Sequence, residues 1–423
     1  MKGTVLARGL TPARAVLDNG VVILAQENGT TPVIALNATF RTGSVSDPPD
    51  LPGVAYLTRR TIDRGTERRS AGDIAGALDD RGVSLRVSVS RHTFTLSCVC
   101  LTEDFQNVLA LLADIVRRPV FPAEEIEKRR LEAITSLREG QDDPSIVAID
   151  MLHEMLYGAA HPYGRSAKGT LAGLEATRRE HLLSFHSSFL VPSMLGLAVV
   201  GDVRPGAAIG SAARVFDDWR GPAVEVEPVP PPPSGPVRSV RSRVMPGKSQ
   251  SDIGYGFTSI RRLDPRYYAY WMMNNVLGQF GLGGRLADNI RERQGMAYYA
   301  YSTLDATVGE GPLLIRAGVD PHDVERALEA IDTEVRALGT EGPTPAELED
   351  TRRSLVGSIP RMLETSEGIA EFLQHAERFG LGLDYDRRLP SILQRVSLEQ
   401  VYEAARDLLD PRRAAVAVAG PAQ

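Results

Sequence analysis

The chain has 423 residues, 43% of them apolar and 24% charged, with a formal net charge of −6. That length outgrows a single simple core and implies two or three domains. The acidic balance argues against a nucleic-acid binder, which shows a basic excess on one face, and no apolar run reaches the roughly 18 residues of a membrane span.

The opening "MKGTVLARGLTPARAV" has no apolar core like that of a signal peptide. The cytoplasm is therefore the expected location, or the periplasm had a signal peptide been removed. "VIALNATFRTG" alternates apolar positions as a half-buried strand does. "GVAYLTRRTIDRGT", residues 53–66, begins like a helix meant for an interior yet presents Arg59 and Arg60 by its second turn. From Arg59 to Arg69 the basic residues are interleaved with Asp63 and Glu67, the pattern of a solvated surface. Cys98 and Cys100 in "TFTLSCVCLT" fall on one strand face, where they cannot easily close a disulfide. They read as small buried apolar residues, and no CxxC pair is present for zinc. "FQNVLALLADIVRRP" has the helical period, and "FPAEEIEKRRLEAITSL" places proline and acids where a helix N-terminus favours them.

The strongest break is "EVEPVPPPPSGPVRS", residues 225–239, whose four consecutive prolines set an extended spacer. It predicts an N-terminal domain over 1–222, a proline-rich linker over 223–237 and a C-terminal domain over 238–423. "SDIGYGFTSI" then reads as a strand and "VERALEAIDTEVRALG" as a helix. "PTPAELEDTRRSLVGSI" echoes the Pro–Ala entry of the first half. Pro192 pairs with Pro411 and Gly201 with Gly420 at an offset of 219, and Gly82 with Gly295 at 213. Offsets that drift by a few residues imply a duplicated fold with different loops. The class is α+β: two homologous domains, each an antiparallel-rich sheet with a layer of helices. In "GQFGLGGRL", Gly278, Gly281, Gly283 and Gly284 permit close backbone approach. Neither phosphate-loop pattern is present there. The histidines have no metal spacing: His153 and His161 in "HEMLYGAAH" match neither zinc motif, and no GxSxG occurs.

Two long segments carry a family resemblance, "HPYGRSAKGTLAGLEATRREHLLSFHSSFLVPSMLGLAVVGDV" and "LGQFGLGGRLADNIRERQGMAYYAYS". From about residue 15 onward the chain resembles the pitrilysin-like, or mitochondrial-processing-peptidase-like, zinc metallopeptidases, which implies a clam-like architecture of two homologous domains. Active members carry H-x-x-E-H on a helix. Its outer positions share one helical face, so two imidazoles can hold one ion while the Glu activates the bound water. A further Glu about 75 residues on completes the ligand set. Here the aligned stretch is Tyr56-Leu57-Thr58-Arg59-Arg60, and the later ligand falls at Thr135 or Ser136, neither a good zinc ligand. Two guanidinium groups beside a phenol repel a dication. The resemblance thus implies no metal in this chain and no peptidase activity by itself.

Arg291 and Tyr298 have the separation of seven that the family uses for a substrate-binding pair. The resemblance gives them the role of holding the substrate carbonyl and stabilising its oxyanion. A chain with this pair and no zinc ligands is similar to the non-catalytic subunit of a two-chain peptidase. Its homologous partner would supply the zinc, and the substrate would be an unfolded or short peptide. The alternative is a non-enzymatic scaffold or peptide-holding protein, for instance a homodimer.

Overall fold

A computed structural model describes residues 9–225, 228–233, 237–279 and 283–422. Among them the alternating and apolar stretches form eleven strands. In the first half these are β1 Ala13–Val16, β2 Val22–Glu27, β3 Val33–Phe40, β4 Arg86–Val89, β5 Phe94–Leu101 and β6 Leu195–Gly201. The second half contributes β7 Ser239–Val244, β8 Ser251–Thr258, β9 Ala297–Leu304, β10 Pro312–Val319 and β11 Ala415–Gly420. The main helices of the first half are α1 Val54–Thr61, α2 Phe105–Arg117, α3 Ala123–Gln141 and α4 Pro144–Tyr157. Those of the second are α5 Tyr267–Gly278, α6 Val324–Glu341, α7 Ser366–Arg378 and α8 Leu398–Leu408. None of the helices among the described residues is long and apolar enough to cross a membrane.

The chain packs into two units. Unit 1 comprises Met1–Ile134, Ala167–Glu227 and Ser358–Pro390; unit 2 comprises Thr135–Ser166, Pro228–Gly357 and Ser391–Gln423. The sheet of unit 1 has the order β1-β2-β6-β3-β5-β4, and that of unit 2 β7-β11-β8-β10-β9. Without β1 the two orders are the same, and each has one parallel pair, β2–β6 and β11–β7. Gly82 and Gly295 share a left-handed backbone, at φ +60° and +64°. Pro192 and Pro411 each open a short 3-10 turn leading into the last strand of their sheet. The fold is α+β and duplicated.

The units do not follow the sequence halves. Helix α7, from the second half, covers the sheet of unit 1, where Ile369, Ala370 and Leu373 join Leu24, Ala198 and Val200 in one buried cluster. Gln374 Nε2 donates to the carbonyls of Asn37 at 2.8 Å and Gly196 at 2.7 Å. Gly196 makes this possible, since a Cβ there would stand 2.7 Å from Gln374 Oε1. Helix α4, from the first half, lies on β8 and β11 of unit 2, with Val147 and Ala148 packed against Met245 and Ala419. Its start is well specified: Pro144 is the first helical residue, and the Asp143 carboxylate accepts from Ser145 N at 2.8 Å. Between the halves, Pro228–Pro233 carry neither helix nor strand, as the ring constraint requires. Residues 226, 227 and 234–236 of the linker lie outside the described residues.

A pH dependence arises from the turn joining β4 to β5. His92 there is buried, and burial, then the charges of Arg378 and Arg91, push its imidazole down to about 3. In the unfolded chain the same group titrates near 6.5. Below that pH the unfolded state takes up a proton that the folded site refuses, so stability is lost as pH falls from about 6.5 towards 3 and is unaffected above. The unfolding free energy from denaturant titrations is expected to drop through this window by up to about 1.4 kcal/mol per pH unit from this group, and less steeply in His92→Gln.

Candidate functional site

The helix that carries the degenerate motif starts at Gly53, whose φ of +116° suits only glycine. The buried Asp47 carboxylate accepts from Gly53 N and Ala55 N, both at 2.7 Å, placing a negative charge at the positive end of α1. Tyr56 is turned inward and buried. The guanidinium groups of Arg59 and Arg60 lie 5.4 and 5.8 Å from its ring centre, within cation–π range. Arg60 donates to the Tyr56 hydroxyl at 3.3 Å and to Glu132 on α3 at 2.6 Å. Arg129 donates to the same carboxylate at 2.8 and 2.9 Å. Burial works against the Arg60 charge, but the bonds to Glu132 and Tyr56 outweigh it and hold the guanidinium above its ordinary range. Arg129 and then Arg60 hold Glu132 below the usual carboxylate range.

The carboxylate that reaches α1 is Glu132, one helical turn before Ser136 at the expected position of the later ligand. Residues 132 and 136 share a helical face one turn apart. Ser136 is half-buried further along α3, in the stretch that packs with unit 2.

In unit 2 the described glycines and the Arg/Tyr pair fall between the end of α5 and the start of β9, an edge strand of the sheet. Gly278 closes α5. Gly284 has φ +100°, and a Cβ on it would come within 2.5 Å of Gly278 Cα. Gly283 faces open space, and Gly281 lies outside the described residues. Arg291 sits in a π-helical turn, Ala287–Arg293, of the kind often found at functional sites. Its Nε lies 3.5 Å from Glu292, and its side chain is 39% exposed.

Tyr298 is on β9, an edge strand of its sheet. Along β10, Val319 faces Ala297 and Gly318 faces Tyr299, so Tyr298 is the extra residue of a β-bulge. The bulge turns it outward, and it is 84% exposed. Its neighbour Tyr299 instead donates to the Asp252 carboxylate, and Tyr301 packs on Tyr299 with ring centres 5.7 Å apart. Of the three tyrosines, Tyr298 alone is exposed, and the other two are half-buried.

Residues 22–170 match the family model described as insulinase (peptidase family M16), and residues 177–355 that described as the peptidase M16 inactive domain. The chain belongs to peptidase family M16. An uncharacterized zinc protease of Mycobacterium leprae is 27% identical over 424 residues, covering 98% of this chain and 93% of the relative. The uncharacterized zinc protease YmxG of Bacillus subtilis is 25% identical over 400 residues, covering 93% and 95%. Among solved structures, a peptidase M16 inactive domain from Pseudomonas fluorescens superposes with a TM-score of 0.91 at 26% identity over 98% of both chains. A Helicobacter pylori protease shares the fold, with a TM-score of 0.89 at 16% identity, covering 97% of this chain and all of that one.

Zinc is the metal that M16 membership implies, and the residues at its motif do not fit it. Tyr56 offers a phenol already accepting from Arg60, the next two positions are guanidinium groups, and the carboxylate bonded to Arg60, Glu132, is shared with Arg129. No group of three His, Cys, Asp or Glu able to hold an ion occurs among the described residues. The thiols offer no substitute, because burial pushes Cys98 up to about 12 and Cys100 to about 11. The chain is an M16 member of the non-catalytic type. Metal analysis of the purified chain after dialysis is expected to find far less than one zinc per chain; a full equivalent, tightly held, would contradict this reading.

Proposed function

We propose that this chain is the non-catalytic subunit of a two-chain zinc metallopeptidase. In this reading Arg291 and Tyr298 contribute to peptide hydrolysis at the zinc of a homologous partner that carries H-x-x-E-H. The supporting observation is the bulge at Tyr298, which presents one hydroxyl to solvent seven residues from a half-exposed Arg291. A bulge beside a site commonly serves to aim a side chain. The guanidinium brings a permanent charge and a planar set of donors, and the phenol one directed donor. Both suit a peptide carbonyl whose oxygen gains charge during hydrolysis. The substrate class is an unfolded or short peptide, which can lie along a sheet edge through main-chain hydrogen bonds.

The test is co-expression with a homologous chain that retains the zinc motif. A stable mixed complex that cleaves peptides, while this chain alone does not, is the expected result. If this chain forms only homodimers, and the partner alone has the full activity, the scaffold reading takes its place.

A further inference from the structure

Within unit 1 a cavity of about 630 Å³ opens beside α1 and the terminal strand β4. Five arginines line it, Arg59, Arg60, Arg64, Arg86 and Arg129, against two acids, Asp63 and Glu367. Three of the arginines are matched: Arg60 by Glu132, Arg129 by Glu125 and Glu132, and Arg64 by Asp63 at 3.2 Å. Among the described residues Arg59 and Arg86 make no ion pair. Arg59 Nε is held 2.9 Å from the Val87 carbonyl, and Arg86 is exposed on the adjacent position of β4. Asp63 is acted on by Arg64, then Arg129 and Arg59, so one carboxylate is spread over three cations.

We infer that this cavity binds a carboxylate of an extended peptide through Arg59 and Arg86. Two guanidinium groups that make no ion pair among the described residues flank one residue of a strand that ends its sheet. An edge of that kind accepts an extended chain, and guanidinium forks match the two oxygens of a carboxylate. The Val87 carbonyl is already engaged by Arg59, so main-chain pairing is interrupted there and charge supplies the attraction. The walls of the cavity focus that field. Glu367, exposed and without an ion pair among the described residues, opposes the ligand from the rim. The carboxylate can come from an acidic side chain or from the peptide's C-terminus.

The experiment is fluorescence anisotropy on the purified full chain with three short labelled peptides of one sequence. One has a central Glu and a free C-terminus, one the same Glu with an amidated end, and one Gln with an amidated end. The first is expected to bind at least about tenfold more tightly than the last, and the middle peptide identifies which carboxylate is held. Arg59→Gln and Arg86→Gln are each expected to weaken the first peptide severalfold to about tenfold, and Glu367→Gln to strengthen it. Arg86 is exposed, so its variant keeps the fold even if Arg59→Gln does not; thermal melts report on both. Equal binding of all three peptides, or wild-type affinity in a folded Arg59→Gln/Arg86→Gln variant, overturns the inference. The assay needs no partner subunit and does not involve Arg291 or Tyr298, so its outcome is independent of the proposed function.

Discussion

Arg291→Ala in this chain is expected to lower peptide turnover by the mixed complex on the order of a hundredfold, with the partner left wild type. The figure follows from the loss of one oxyanion donor, about 3 kcal/mol of transition-state stabilisation. Tyr298→Phe is expected to act in the same direction, because it removes the only polar atom of a side chain that is 84% exposed. That exposure also makes the phenylalanine variant nearly neutral for folding, within about 0.5 kcal/mol. Tyr299→Phe is the control. It deletes the hydroxyl that donates to Asp252, a buried carboxylate whose pKa is raised by burial against that very bond. Its effect belongs in the melting curve and not in turnover. The zinc content of the partner should be unchanged in all three variants, which separates a lost donor from a damaged metal site. Each variant is compared at matched complex concentration. Full turnover by the Arg291→Ala/Tyr298→Phe double variant would make the pair structural and move the chain to the scaffold class.

The contrast between Tyr298 and Tyr299 marks where the sequence stops being readable. Strict alternation through "AYYAYS" sets Tyr298 on one face and Tyr299 and Tyr301 on the other, without saying which face is dry. The bulge that ejects Tyr298 depends on register against Gly318 and Val319, residues that carry no local signal. The contact of Arg60 with Glu132 has no local signal either, since the face of α3 that meets α1 depends on helix phase. What could be read was local or repeated. The strands "VIALNATF" and "SDIGYGFT" lie where alternation puts them, and the Pro192/Pro411 and Gly82/Gly295 pairs proved to be equivalent turns in two sheets of one topology. The placement of Tyr56, Arg59 and Arg60 on one helix was legible because the stretch is contiguous. The destination of α4 and α7 was not, because a helical period identifies an apolar face but not the sheet that will cover it.

That exchange of helices predicts a large effect when the chain is cut in the linker. Residues 1–222 expressed alone are expected to form no cooperatively folded domain, although they hold a complete six-stranded sheet. Without α7, the face formed by Leu24, Ala198 and Val200 loses Ile369, Ala370 and Leu373, all of them at most 4% exposed in the intact chain. At about 1.5–3 kcal/mol for each of the four large side chains, Leu24, Val200, Ile369 and Leu373, the loss is roughly 6–12 kcal/mol, as much as a whole domain has to spare. The carbonyls of Asn37 and Gly196 lose their Gln374 donor as well. Residues 238–423 face the same deficit without α4, whose Leu152 is fully buried. Its Cδ2 lies 3.3 Å from where a Cβ on Gly254 or Gly256 would stand. The two fragments made together should recover one folded complex, each supplying the helix the other lacks. Leu373→Ala in the intact chain isolates the contact: a loss of about 2–5 kcal/mol is expected. Hydrogen exchange should locate it in β2 and β6 of the opposite sequence half. A sharp, independent melt of residues 1–222, with protected amides in β6, would show that α7 covers a sheet already able to stand without it.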